Sequence, residues 1–136
     1  SEMCIRDSAE ALGVYVCHQI DCGAQVVQIF DSWAHHLSPT QFLEFSHPYN
    51  ERVIEIVKAK HPDVPLIFHA NGGAGKLHGL KRSSADVIGL DWNTSMAEAR
   101  EVLGPDRVLQ GNMVCPSCNV DAPKMAVADS LSTTFQ

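Results

Sequence analysis

Four times along this chain a short apolar run stops abruptly at polar side chains and gives way to a helical pattern. The runs are Val26 to Phe30 ending in Asp31-Ser32, Pro65 to His69 ending near Asn71, Val87 to Leu90 ending in Asp91-Trp92, and Val108 to Gln110 ending near Asn112. Short strands with helices between them imply right-handed β/α crossovers and therefore a parallel sheet. Two α/β architectures satisfy that pattern: part of a (β/α)8 TIM barrel carrying about four parallel strands, or a doubly wound open sheet. In both, ligands sit at the carboxyl ends of the strands. Asp31, Ser32, His69, Asn71, Asp91, Trp92 and Asn112 all fall there, and four such ends would line one mouth.

The intervening segments carry helix signals. Ser8 is a predicted N-cap, and Ala9, Leu12, Val16 and Ile20 follow at spacings of three and four on one helical face, ended by Gly23. Ser38-Pro39-Thr40-Gln41 has a capping-box layout with proline at the first helical position. Past Pro48 a longer helix puts Tyr49, Val53, Ile56 and Val57 on one side and mostly charged residues on the other, until His61-Pro62 stops it. A weak helical stretch is predicted near Leu77 to Lys81, and Ser95 with Glu98 opens a further helix closed by Gly104-Pro105. Residues 1–8 read as a tail, 9–112 as the barrel portion and 113–136 as an irregular, low-hydrophobicity segment.

Composition narrows the function classes. With 45% apolar and 19% charged residues, the 136-residue chain is globular rather than disordered. No apolar run approaches the roughly 20 residues that span a bilayer, and no secretory-signal layout is present at the start. A formal charge of −6 argues against a nucleic-acid surface and equally against this segment alone attracting an anion. Five cysteines at irregular spacings do not form a disulfide framework and favour a reducing compartment.

Each chemical motif has a plainer reading beside it. Gly72-Gly73-Ala74-Gly75-Lys76-Leu77 suggests a phosphate loop, but the Walker A pattern needs glycine at Ala70 and Ser or Thr at Leu77. A loop with permissive backbone angles is the simpler account. Cys115-Pro116-Ser117-Cys118 is one C-x-x-C without a second pair, best read as two unlinked thiols. His35 and His36 are adjacent, and on an extended backbone their rings would point apart, a poor chelate; His69 ends a strand and faces the mouth. Asp31 and Asp91 are candidates for acid–base work, or for bonding loop N–H groups and stiffening the rim. Ser32 lacks a neighbouring relay and the G-x-S-x-G elbow, so ligand hydrogen bonding suits it better than nucleophilic attack.

Taken together, Gly23 to Ala34 with its Phe30-Asp31-Ser32, Leu37-Ser38-Pro39, Phe42, Phe45-Ser46-His47-Pro48-Tyr49, Val87-Ile88-Gly89-Leu90-Asp91-Trp92 and Leu109-Gln110-Gly111-Asn112 resemble the uroporphyrinogen decarboxylase family. The resemblance runs in order from about Ala9 to Asn112, roughly the middle third of a full-length member. It implies a TIM barrel, a homodimer, and a lyase that removes carboxyl groups from the four acetate side chains of uroporphyrinogen to give coproporphyrinogen. It also implies no metal or organic cofactor and no nucleic-acid or membrane partner. The setting would be heme and chlorophyll biosynthesis, in the cytoplasm or the plastid stroma.

The serine of the Phe-Asp-Ser segment binds substrate in that family, which gives Ser32 the role of substrate contact here, with Phe30, Asp31, His69, Asn71, Asp91, Trp92 and Asn112 as residues lining the site. The resemblance carries no catalytic residue onto this chain: the family's central aspartate, its arginine-rich clamp and a substrate-contacting tyrosine lie upstream of the matched stretch, and its last-strand histidine lies downstream. The expectation is therefore an incomplete piece of the enzyme, weakly stable and without turnover alone. After Asn112 the pattern departs, with Met113-Val114-Cys115-Pro116 where the family has one residue and then Asp-Pro. Two other readings compete: a corrinoid-dependent methyltransferase of the same superfamily, whose His-x-Cys zinc motif would place a thiolate where Asn71 stands, and a noncatalytic fragment that binds a full-length subunit.

Overall fold

The computed structural model describes residues 2–113, and the expected irregular segment with Cys115 and Cys118 lies outside them. Four strands, β1 (Val27–Asp31), β2 (Leu66–Ala70), β3 (Val87–Leu90) and β4 (Val108–Gly111), form one sheet in the order β1-β2-β3-β4. Every pairing is parallel, with Phe30 beside His69, His69 beside Gly89 and Gly89 beside Gln110. The spatial order follows the chain order without reversal, so among the described residues the sheet has no topological switch point of the doubly wound kind. Consecutive winding in one direction is that of a β/α barrel, here present in part.

Alternation along the strands separates two faces. Ile29, Leu66, Phe68, Ala70, Ile88 and Leu90 are buried under the helices, whereas Phe30 and Val108 on the other face are 64% and 57% exposed. The helices are α1 (Glu2–Asp21), α2 (Pro39–Phe45), α3 (His47–Lys60), the single turn α4 (Leu77–Leu80) and α5 (Met96–Leu103), with short 3-10 turns at Ala34–His36 and Ala74–Lys76. Val53, Ile54 and Val57 of α3 and Phe42 of α2 complete the core with the strand residues. Glu10 pairs with Arg52 at 2.7 Å and Asp21 with Lys60 at 2.5 Å, linking α1 to α3 along their exposed flank. Side by side on the bare face, Gln110 Nε2 donates to Gln28 Oε1 at 3.3 Å, so the sheet curls enough for its first and last strands to touch over the concavity.

The helix starts follow their caps. Ser38 Oγ accepts from the Gln41 N–H at 3.2 Å while Gln41 Oε1 accepts from the Ser38 N–H at 3.0 Å, the complete reciprocal box. Ser95 Oγ accepts from the Glu98 N–H at 3.4 Å. At the first helix the structure corrects the sequence reading: α1 begins at Glu2, and Ser8 lies in its interior, donating back to the Cys4 carbonyl at 2.9 Å. A serine satisfied four residues upstream has no need to cap. Gly23, at φ +109°, ends the helix as expected.

At the amino ends of the strands, Asp86 accepts from the Leu66 N–H at 2.7 Å and pairs with Lys58 at 2.6 Å. His47, at the start of α3, is buried near Phe42 and Glu51. Burial pushes its imidazole below the usual value, Glu51 opposes the shift and Arg82 adds to it. The folded chain therefore takes up this proton less readily than the unfolded one, and stability falls as pH drops below about 6.5 toward the lowered folded value. Urea midpoints at pH 7.5 and 5.5 should show this loss in the parent and a smaller one in His47→Gln; equal losses in both would assign it to other groups.

Candidate functional site

The carboxyl ends of the strands are joined in series by polar side chains. Asp91, at the end of β3, is buried, and its Oδ2 accepts from the Gly72 and Gly73 N–H groups at 2.7 and 3.0 Å. Its other oxygen accepts from the Thr94 hydroxyl. Asn112, just past β4, donates through Nδ2 to the Thr94 carbonyl. The β2 loop is thereby fastened to β3, and the β3 loop to β4.

This arrangement sorts the two carboxylates. Asp91 is an acceptor for three loop donors, the rim-stiffening alternative rather than a free acid or base. Asp31 Oδ2 accepts from the Ser46 hydroxyl and from Asn50 Nδ2 at 3.3 Å, so it ties β1 to the junction of α2 and α3. The glycine-rich loop is explained by the same bonds. Its amides surround the carboxylate of Asp91 instead of a phosphate, and buried Lys76 donates to the Gly72 carbonyl at 2.9 Å. The burial of Lys76 has no signal in the local sequence, where a lysine in a glycine-rich loop gives no sign of being enclosed.

Ser32 lies in the turn after β1 and is exposed. Its carbonyl accepts from Asn71 Nδ2 at 3.3 Å and lies 3.1 Å from His35 Nδ1. No hydrogen-bond partner of its hydroxyl occurs among the described residues. The β2 loop reaches this turn because residue 72 is glycine: at φ +71°, a Cβ there would lie 2.7 Å from His35 Cβ and 2.9 Å from His35 Cα.

Aromatic groups flank this turn. Trp33 is exposed and stacks on His36, with ring centroids 4.9 Å apart. The rings of His35 and His36 lie 4.0 Å apart, against the expectation that they diverge. They stand in a 3-10 turn, not an extended segment, and neighbouring side chains there diverge by about 120° rather than the roughly 180° of a strand. Even so, no group of three or more His, Cys, Asp or Glu suited to a metal ion occurs among the described residues.

His69 and Phe30 occupy the bare sheet face, edge to face with centroids 5.9 Å apart. His69 Nδ1 lies 3.1 Å from the Gly89 carbonyl, which can only accept, so Nδ1 carries the proton and Nε2 presents a lone pair in the neutral ring. Trp92, the second residue past β3, is exposed. The structure thus brings Ser32, Asn71 and His35 together, and Asp91 with the Gly72-Gly73 amides and Thr94. It places the Asp31 carboxylate on the helix side.

A model of the uroporphyrinogen decarboxylase family matches residues 1–132. The chain belongs to that family. Uroporphyrinogen decarboxylases from Picosynechococcus and Synechocystis are 50% and 51% identical over 105 residues, which is 77% of this chain and 30% of each relative. Uroporphyrinogen decarboxylase 2, chloroplastic, of Arabidopsis thaliana is 52% identical over 99 residues, 73% of this chain and 25% of that protein. The chain therefore spans about 30% of the length of the curated decarboxylases it matches. Family membership agrees with the consecutive parallel winding. At the position where a zinc thiolate would stand, Asn71 is instead bonded to the Ser32 carbonyl.

Proposed function

We propose that this stretch forms one wall of the substrate mouth in an enzyme that decarboxylates the acetate side chains of uroporphyrinogen to coproporphyrinogen. Ser32 donates a hydrogen bond to a substrate carboxylate there. The observation that carries the reading is the state of Ser32: its carbonyl is held by the neighbouring loop while its hydroxyl is exposed, without a partner among the described residues, at a strand end. Phe30, His69 and Trp92 line the same end of the sheet, and Asp31, Asp91, Asn71 and Asn112 hold its loops in place. The relatives' names support the reaction and the substrate class.

Decarboxylation of this kind protonates a pyrrole, releases CO2 from the resulting electron sink, protonates the exocyclic carbon and then gives up the ring proton, so carboxylates must be held and a cationic ring stabilised. An acidic segment with a net charge of −6 supplies orientation by neutral donors rather than charge pairing. The same reading includes a homodimer working without metal or organic cofactor, in the plastid or the cytoplasm. The chloroplastic relatives of Arabidopsis and Nicotiana tabacum support the plastid. Among the described residues no helix is long and apolar enough to cross a membrane.

In a full-length family enzyme carrying this stretch, Ser32→Ala should raise KM by roughly five-fold, the worth of one hydrogen bond, with kcat nearly unchanged. An unaltered KM would remove Ser32 from the site.

A further inference from the structure

We propose that Asn71 is a positioning residue for Ser32, acting with His35 through the Ser32 main-chain carbonyl; this rests on the reading of Ser32 as a substrate contact. Ser32 is the first residue beyond β1, where the sheet ladder no longer fixes the backbone. Asn71 occupies the equivalent place beyond β2. Its own N–H donates to the Asp31 carbonyl at 3.1 Å, extending the ladder by one rung and setting the side chain beside the Ser32 turn. From there Nδ2 reaches the Ser32 carbonyl at 3.3 Å, and His35 Nδ1 approaches the same oxygen at 3.1 Å. Asn71 Nδ2 and His35 Nδ1 are themselves 3.3 Å apart, so the two groups converge on one acceptor. A carbonyl oxygen has two lone pairs and accommodates both donors when Nδ1 carries the ring proton.

The division of labour follows from the chemistry of the turn. Holding the carbonyl restrains the peptide plane that follows Ser32, while leaving the hydroxyl free to meet a ligand. The main-chain bond of Asn71 to Asp31 is independent of its side chain, so shortening residue 71 to alanine removes the clamp and keeps the rung. A group held 3 Å from its target contributes by being already in place when substrate arrives, and loosening it costs binding before it costs chemistry.

The test is a double-mutant cycle on KM in a full-length family enzyme carrying this stretch, with Asn71→Ala, Ser32→Ala and the pair. Asn71→Ala should raise KM roughly three- to five-fold with kcat within about two-fold, and the pair should be no worse than Ser32→Ala alone. His35→Ala, an exposed change on the other side of the same carbonyl, should give a smaller rise and serves as the second variant if Asn71→Ala folds poorly. A raised KM in Ser32→Ala with parental values in both Asn71→Ala and His35→Ala overturns the clamp alone. Additive effects in the pair also overturn it, because Asn71 would then act by another route. Parental KM in Ser32→Ala overturns the substrate contact and the clamp with it.

Discussion

Asp91→Ala is expected to lower the stability of the chain by roughly 4 kcal/mol, since hydrogen bonds to a buried charged group contribute about 1.5–3 kcal/mol each and leave unsatisfied partners when broken. Three donors lose their acceptor at once: the Gly72 and Gly73 amides and the Thr94 hydroxyl. Relief from burying the carboxylate offsets part of the sum, which places the net below the simple total of three bonds. Asp91→Asn keeps one carbonyl oxygen for the amides and should lose about half as much. Urea denaturation of the three proteins measures the series. A loss under about 1 kcal/mol in Asp91→Ala would mean that water replaces the carboxylate without penalty, and the rim would not depend on it.

Gly72→Ala should cost about 3 kcal/mol, from a left-handed backbone unfavourable to L-residues by about 1–2 kcal/mol and an overlap that the loop must relieve by moving. At φ +71° the new methyl would meet both Cβ and Cα of His35, and Cα cannot rotate aside. Gly23→Ala supplies the control. It too has positive φ, +109°, but no atom lies within 4 Å of its virtual Cβ, so it bears the conformational cost alone. Comparable denaturation midpoints for the two variants would show that the approach of the β2 loop to His35 is not a tight contact.

Much of the fold is legible in local patterns, and the exceptions have a common cause. The four strands lie within one residue of their apolar runs, because a run ended by polar residues marks both the strand and its exit into a loop. Ser38 and Ser95 cap as their spacing to Gln41 and Glu98 requires. Ser8 carries the same residue type but bonds upstream, a choice made by the helical preceding segment rather than by the serine itself. The site is harder to read. Asp31 and Asp91 look alike in sequence, and their use is decided by partners 15 to 19 residues away, Ser46, Asn50 and the Gly72-Gly73 pair. The linkage of Asn71 to Ser32 crosses 39 residues and appears only once β1 and β2 pair. Similarly, the directions of His35 and His36 are set by the turn type, which the residue pair does not specify.

The rim ties described above run in chain order, which gives them a kinetic meaning. Asn71 joins the first loop to the second across 39 residues, Gly72 and Asp91 join the second to the third across 19, and Thr94 and Asn112 extend the series across 18. Each closes a modest loop onto structure already formed, and closure entropy rises only slowly with such lengths. Assembly can then advance one strand and helix at a time from a paired β1 and β2, as in proteins built by stacking neighbours, with each new unit finding its hydrogen-bond partner in place, a carbonyl for Asn71 and Asn112 and the loop amides for Asp91. A chain emerging from the ribosome meets those partners in the order in which they are made.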